Sequence, residues 1–461
     1  MSNPLFNQLA MPEAISGALA GAGMATMTQV QAQTLPDSLA GRDVLAQAST
    51  GSGKTIAFAV AGLSKVDPTD YATQMLVMCP TRELAEQVGE QIRLVGRQMP
   101  NLKVLTLCGG VAMGPQIQSL KHGAAVIVAT PGRLLEHVSK RRISLANVKV
   151  RVLDEADRML DMGFAEDIAA LFAQTPATAQ TLFFSATYTA PVEAQAQRYL
   201  TDPVVHRQPE QDLQRPDIAE LVYRVDEANR LHALKGILSE AQPHKAIVFC
   251  NTRVQVTEVQ DALAYEGFAA KALQGDLTQQ QRTEVLMQFA SDSLQVLVAT
   301  DVAARGLDIK DVDCVIVYNV SEEAEVHIHR IGRTGRAGAK GQAFTLCSEA
   351  EEQKLGRIED LQGEPFKRKG FQSLRFHANR IRTPEFQCLA IAAGKKQKLR
   401  PGDFLGSLTK DAEIPGEDIG KISVTNQVSY VAVKQRSVKK ALKLFREGKI
   451  KGKRVRARKL S

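Results

Sequence analysis

The chain has 461 residues, with 58 Lys and Arg against 50 Asp and Glu and a formal net charge of +8. At roughly 100 to 200 residues per domain this length predicts two to four domains, and 44% apolar with 23% charged residues excludes wholesale disorder. No run approaches the roughly 18 to 20 consecutive apolar residues of a membrane span, and the first basic residue is Arg42, so the N-terminus lacks the positive flank of a signal peptide; a soluble cytoplasmic protein without a membrane partner is expected.

In chain order, short runs rich in Val, Ile, Leu and Met alternate with helical patterns: Val44-Leu-Ala46, Met75-Leu-Val-Met-Cys79, Ala125-Val-Ile-Val128, Val150-Arg-Val-Leu153 and Thr181-Leu-Phe-Phe184. Polar residues punctuated by Pro203, Pro209 and Pro216 interrupt the alternation, which resumes with Ala246-Ile-Val-Phe-Cys250, Val296-Leu-Val-Ala299 and Val315-Ile-Val317. A second break runs from 364 to 384, with Pro365, Lys367-Arg-Lys369 and Pro384. Continuous apolarity marks strands buried on both faces, hence parallel sheets wrapped by helices, with ligands at the carboxyl ends of the strands. The divisions are 1–208, 209–363, a linker 364–384 and 385–461. The six cysteines lie in or beside apolar runs without a C-x-x-C pair, which predicts buried free thiols.

Ala48-Ser-Thr-Gly-Ser-Gly-Lys-Thr55 sits between an apolar run and the helical Ile56-Ala-Phe-Ala-Val60. This is the setting of a phosphate-binding loop. Backbone N–H groups of Ser49, Thr50, Gly51, Ser52 and Gly53 would close on phosphate oxygens, Lys54 would bring charge to the outer phosphates, and Thr55 would ligate Mg²⁺. The strand ending in Asp154-Glu155-Ala-Asp157 supplies the carboxylates such a loop needs. Asp154 would hold Mg²⁺, while Glu155 would accept a proton from the attacking water.

These motifs, with Pro80-Thr-Arg-Glu-Leu-Ala85, Gly109-Gly110, Thr130-Pro-Gly-Arg133 and Ser185-Ala-Thr187, resemble the DEAD-box ATP-dependent RNA helicases along nearly the whole chain. The resemblance implies an α/β fold with two RecA-like parallel-sheet helicase domains and a small α+β RRM-like C-terminal domain. It implies that Phe6 and Gln31 form the adenine-reading Q motif, and that Met24 stands seven positions before Gln31 where the family usually carries an aromatic. It implies that Arg82, Gly110, Thr130 and Arg133 grip RNA phosphates without reading sequence, and that Ser185 and Thr187 couple hydrolysis to strand separation.

Downstream, Val248-Phe-Cys-Asn-Thr-Arg253, Gln279-Gln-Gln-Arg282, Ala299-Thr-Asp-Val-Ala-Ala-Arg-Gly-Leu-Asp308 and His329-Arg-Ile-Gly-Arg-Thr-Gly-Arg336 resemble the later motifs of the same family. By that resemblance Arg333 and Arg336 are arginine fingers for the γ-phosphate and His329 has an ATP-linked hydrogen-bonding role. Asp308 holds the ribose, and Gly275, Arg282 and Thr300 contact RNA. Fingers that reach the phosphate only when two modules close would make ATP and RNA binding mutually reinforcing.

Residues 394–461 carry 19 Lys and Arg against 6 acids, leaving 39 against 44 in the remainder. A polyanion partner reached through the C-terminus is the consequence. The patterns predict a strand at 388–393, the loop Gly394-Lys-Lys-Gln-Lys-Leu-Arg400, a helix opened by Pro401, and strands at 419–424 and 428–433. A helix at 437–447 and a last strand Arg454-Val-Arg-Ala-Arg458, with its arginines on one face, complete the order of an RNA recognition motif. Only Tyr430 offers an aromatic on its third strand, so gripping by Lys395, Lys396, Lys398 and Arg400 is expected over base stacking. The segment resembles the RNA-binding domain of the bacterial DEAD-box protein A subfamily, which implies hairpin 92 of 23S rRNA as target, a role in large-subunit assembly and no obligate protein partner. An ATP-gated RNA clamp or annealing scaffold and a DNA translocase are the competing readings of the same motifs.

Overall fold

The computed structural model describes residues 4–48, 51–207, 218–304, 312–335 and 340–460. Each four-residue apolar run forms a short parallel strand. In the first module these are β1 Val44–Gln47, β2 Met75–Met78, β3 Val104–Leu107, β4 Val126–Ala129, β5 Val150–Leu153, β6 Gln180–Ser185 and β7 Val204–His206, arranged β3-β4-β2-β5-β6-β1-β7. β2, β4, β5 and β6 are buried at every position because helices cover both faces. One such cover is the helix Lys54–Leu63, whose small and apolar residues let it lie within the core. All strands of this sheet are parallel and end at one edge, so that edge collects every loop that follows a strand.

The second sheet repeats the arrangement with β8 Ile218–Arg224, β9 Ala246–Phe249, β10 Ala270–Leu273, β11 Val296–Ala299, β12 Cys314–Val317, β13 Gly341–Cys347 and β14 Arg368–Gly370, in the order β10-β11-β9-β12-β13-β8-β14. Its last strand comes from the interval expected as a linker. Arg368 pairs with Val222 on β8. The chain then lies over the helix Arg230–Ala241: Leu374 is buried in the same core cluster, Phe371, Phe376 and Ile381 pack on it, and Ser239 donates to the Arg375 carbonyl at 3.2 Å. Residues 364–384 are thus an ordered strap on the second module.

The last sheet is antiparallel, built from β15 Phe386–Ile391, β16 Ile419–Val424, β17 Ser429–Lys434 and β18 Ala457–Lys459 in the order β16-β17-β15-β18. The helices Pro401–Gly406 and Val438–Glu447 cover one face, where Leu389, Ile391, Phe404, Val431, Val433 and Phe445 form a core. The final strand is shorter than the alternating pattern predicts. Ladder pairing begins only at Ala457; upstream, Lys451 and Gly452 take positive φ values of 50° and 77° in a turn closed by the Ile450–Lys453 bridge, and Arg456 is tied in by its carbonyl accepting from Ala392 N–H at 2.8 Å. The alternation itself persists, with Val455 and Ala457 turned to the core and Arg454, Arg456 and Arg458 exposed. All six cysteines are free and buried. No helix among the described residues is long and apolar enough to cross a membrane.

Candidate nucleotide and nucleic-acid site

The carboxyl edge of the first sheet divides by strand order. β1, β6 and β5 are adjacent, so the phosphate-loop residues, Ser185 to Thr187, and Asp154 with Glu155 emerge side by side. Lys54 opens its helix with its side chain buried, and its Nζ lies 2.8 Å from Oδ1 of Asp154, whose carboxylate is wholly buried. Burial opposes the charge on Lys54, but Asp154, Glu155 and Asp157 outweigh it and hold the ammonium above its ordinary value. Burial pushes the Asp154 carboxyl up, with Lys54 pulling the other way. Beyond this ion pair and the adjacent Glu155 N–H, the Asp154 oxygens find no partner among the described residues. A buried carboxylate with spare lone pairs is costly unless a cation completes it, and Asp154 together with the half-buried Thr55, next to Lys54 in the chain, could hold a magnesium ion.

Glu155 has φ +56°, a left-handed conformation unusual for a residue with a side chain. It is buried and ion-paired to Arg158 at 2.9 Å. Asp157 is turned toward the β6 loop, where Oδ2 accepts from both N–H and Oγ1 of Thr187 at 3.0 Å. The carboxylate strand and the Ser185–Thr187 loop are therefore mechanically joined. Ser185 Oγ is buried without a hydrogen-bond partner among the described residues.

Gln31 caps its own helix and braces the phosphate loop. Its Oε1 accepts from Thr28 N–H at 2.8 Å and its Nε2 donates to the Gly53 carbonyl at 2.9 Å. Gly53 has φ +92°, and a Cβ there would stand 2.6 Å from the Gln31 amide. Phe6 is 4% exposed in the core cluster, and Met24 is a partly buried neighbour of the same cluster. Ser49 and Thr50 lie outside the described residues; Gly51 and Ser52 lie before the helix, Gly51 with φ +89°.

On the other half of the edge, β2, β4 and β3 bring together the loops of Arg82, Thr130 and Gly110. Thr81 caps the helix Arg82–Val95 by accepting from Leu84 N–H at 3.3 Å. Arg82 donates to the Gly109 carbonyl at 3.4 Å, Gly109 N–H donates to Thr130 Oγ1 at 3.3 Å, and Arg133 donates to the Val111 carbonyl at 3.0 Å. Gly110 has φ +69°, and a Cβ on it would stand 1.9 Å from the Arg82 guanidinium. Two guanidinium groups and two helix N-termini are thereby held as one braced set suited to phosphate oxygens.

In the second module Gly275 follows β10 and Thr300 follows β11, on adjacent strands. Gly275 is exposed and Thr300 nearly buried. Arg282, in the helix Gln279–Ala290, is buried and donates to the Ala303 carbonyl. Arg333 is buried, with Nε donating to the His329 carbonyl at 3.4 Å, and His329 is half-buried on the helix Ala324–Ile331. Asp308 and Arg336 lie outside the described residues. Arg330, to which the motif reading gave no role, is the organiser here. It grips both oxygens of Asp301, Asn251 Oδ1 and the Asn319 carbonyl, each at 2.7 Å, and so ties the ends of β11, β9 and β12 together.

In the terminal module Lys395, Lys396, Lys398 and Arg400 are exposed on one loop. That loop is braced from below by Lys395 and Lys396 N–H groups donating to the Thr425 and Asn426 carbonyls at 2.8 and 3.0 Å. Two further lysines converge on it: Lys451 Nζ donates to the Lys398 carbonyl at 3.2 Å and Lys453 Nζ to the Gln397 carbonyl at 2.9 Å. Neither stood out in the sequence. The Lys451-Gly452 turn, read as the head of a hairpin facing the earlier loop, was the available signal.

Residues 28–195 match the profile of the DEAD/DEAH box helicase family, residues 229–338 that of the helicase conserved C-terminal domain and residues 388–459 that of the DbpA RNA binding domain. The ATP-dependent RNA helicase DbpA of Escherichia coli strain K12 is 45% identical over 446 residues, 95% of each chain. The DEAD-box ATP-dependent RNA helicase CshA of Bacillus subtilis strain 168 is 43% identical over 337 residues, 73% of this chain and 68% of that one. Among solved structures, S. cerevisiae Dbp5 bound to RNA and ADP BeF3 is 27% identical with a TM-score of 0.72, covering 80% of this chain and 96% of that one. Mss116p bound to ssRNA and AMP-PNP is 26% identical with a TM-score of 0.70, covering 79% of this chain and 78% of that one.

Proposed function

This chain belongs to the DEAD-box ATP-dependent RNA helicases, and from that premise we propose that it melts short RNA duplexes beside hairpin 92 of 23S rRNA during assembly of the large ribosomal subunit. The observation that carries the reading is the division of one sheet edge. Loops suited to nucleotide phosphates follow β1, β6 and β5, loops suited to an RNA backbone follow β2, β4 and β3, and the Asp157–Thr187 bonds link the carboxylate strand to its neighbour.

In this mechanism Gln31 presents its remaining amide N–H and lone pair to adenine while holding the phosphate loop through Gly53. Lys54 leaves Asp154 in part to meet the outer phosphates. Thr55 and Asp154 would hold Mg²⁺, which supplies charge neutralisation on the β- and γ-phosphates when bound. Glu155, fixed by Arg158, takes the proton of a water that attacks the γ-phosphorus as the bond to the bridging oxygen breaks, giving ADP and phosphate. Arg333 and Arg336 spread the charge of the transferring group once the second module closes on the nucleotide, and Asp308 and His329 support the ribose and phosphate side. Arg82, Gly110, Thr130 and Arg133, with Gly275, Arg282 and Thr300, hold one strand by its phosphates, and the helix Pro131–Ser139 makes continued pairing sterically costly.

The modular divisions 1–208, 209–363 and 385–461 are the working units of this proposal. The terminal module tethers the hairpin through Lys395, Lys396, Lys398 and Arg400, with Lys451 and Lys453 beside them. ATPase activity measured against 23S rRNA fragments with and without hairpin 92 tests the assignment. Activation at lower concentration by the hairpin-bearing fragment is expected; equal activation by both would reject the target.

A further inference from the structure

The helix Pro131–Ser139 has Thr130 as its N-cap and carries Arg133 in its first turn, both members of the set proposed to hold RNA phosphates. One turn further on, at i+4 from Arg133 and so on the same face, stands His137. Its side chain is wholly buried. An imidazole removed from water is costly unless its polar atoms are occupied, so what it bonds to matters.

His137 Nε2 lies 2.9 Å from Oε1 of Gln116, and Gln116 Nε2 donates to the Cys108 carbonyl at 3.0 Å. Gln116 is itself buried, on the helix Met113–Leu120. Cys108 is the residue before Gly109-Gly110. A line of two hydrogen bonds therefore runs from the helix of Arg133, through a second helix, to the base of the glycine turn. Its far end fixes every proton in it. A carbonyl only accepts, so Gln116 turns its nitrogen to Cys108 and its oxygen to the ring, and the hydrogen between ring and amide sits on Nε2. Nδ1 keeps the lone pair and has no partner among the described residues. Burial, followed by Arg142 and Arg133, pulls the imidazole below its ordinary value, in keeping with a neutral ring.

The turn 108–111 is thus pinned to the helix Pro131–Ser139 at three points: Cys108 through Gln116 and His137, Gly109 through Thr130, and Val111 through Arg133. The last two pins are made by groups that a phosphate would engage, so a bound strand competes with them. The buried line is beyond its reach. We propose that His137 and Gln116 are positioning residues for RNA binding, a buried brace that keeps the glycine turn and the Arg133 helix in register while Thr130 and Arg133 exchange their internal bonds for phosphate. This role rests on the reading of Thr130 and Arg133 as phosphate contacts.

The test measures RNA-stimulated ATP hydrolysis by the full chain against a single-stranded oligouridylate, separating the RNA concentration for half-activation from turnover at saturation. Gln116→Met keeps volume and removes both bonds; His137→Phe keeps a ring and removes the donor; His137→Gln restores a donor in place of Nε2. The first two should raise the half-activating concentration about three- to thirtyfold, the range expected for residues along a physical network, with turnover at saturation within about twofold. His137→Gln should stay within about twofold in both. An unchanged half-activating concentration in Gln116→Met and His137→Phe, or a His137→Gln chain as impaired as His137→Phe, would overturn the brace. So would a loss of turnover equal to the loss of RNA affinity, which is the mark of general damage. Arg133→Ala separates the two readings. If it weakens RNA activation while Gln116→Met does not, the brace alone is rejected; if Arg133→Ala is silent as well, the phosphate grip is misplaced and the brace falls with it.

Discussion

Two regions of this molecule that we propose to handle phosphate hold their cationic side chains under opposite physical conditions. In the first module Lys54 is buried against a buried Asp154, with Glu155 and Asp157 adding to the field on the ammonium, so each charge is strongly felt. On the terminal module Lys395, Lys396, Lys398 and Arg400 stand in water on a braced loop. A buried ion pair makes geometry exacting, because removing one partner strands the other at about 3 to 5 kcal/mol. Exposed lysines make affinity additive and salt-sensitive. The contrast suits chemistry at one edge and capture at the other.

The comparison is sharpened first at the carboxylates. Glu155→Gln should lower RNA-stimulated turnover by about 10²- to 10⁴-fold, the usual worth of a general base, while ATP binding measured by titration persists; undiminished turnover would remove Glu155 from the chemistry. Asp154→Asn should deprive Lys54 of its nearest counter-charge and destabilise the chain by about 3 to 5 kcal/mol in denaturant titrations without nucleotide. A change no larger than that of an exposed Asp would mean the pair is solvated and the contrast false.

Smaller effects are expected at the terminus. Replacing Lys395 and Lys396 by Ala should flatten the dependence of log affinity on log salt by about 0.7 to 0.9 per lysine if each neutralises one phosphate. An unchanged slope would place the RNA elsewhere. The smallest effect concerns Asp418, which Arg436 and Ser437 hydrogen-bond and hold down to about 2. Its unfolded value lies near about 4, so the unfolded chain binds more protons and this contribution to stability is lost as pH falls between those values. Asp418→Asn should abolish that part of the acid sensitivity; an identical acid profile would contradict the pairing.

What the sequence disclosed and what it hid follow from the same physics. Phosphate loops and carboxylate strand ends require particular residue types at fixed spacing, so Lys54, Asp154 and Glu155 were legible, as were the short buried strands. Contacts made by ordinary residues far apart in the chain were not. The strand Arg368–Gly370 is short and polar, and it is a strand only because β8 offers an edge. Arg330 looks like any motif arginine until three strand ends converge on it. Nothing in the spacing of Cys388, Ala390 and Met287 announces that they pack together, and the Gln31 side chain read as an adenine contact is also a helix cap and a brace on Gly53.

The central claim is that nucleotide and RNA are bound by one linked system, and it is tested most directly by measuring the affinity of the intact chain for a single-stranded RNA with and without a non-hydrolysable ATP analogue. At least about fivefold tighter RNA binding with the analogue is predicted, in the range of ordinary linkage energies. Equal affinity in both conditions would contradict the account.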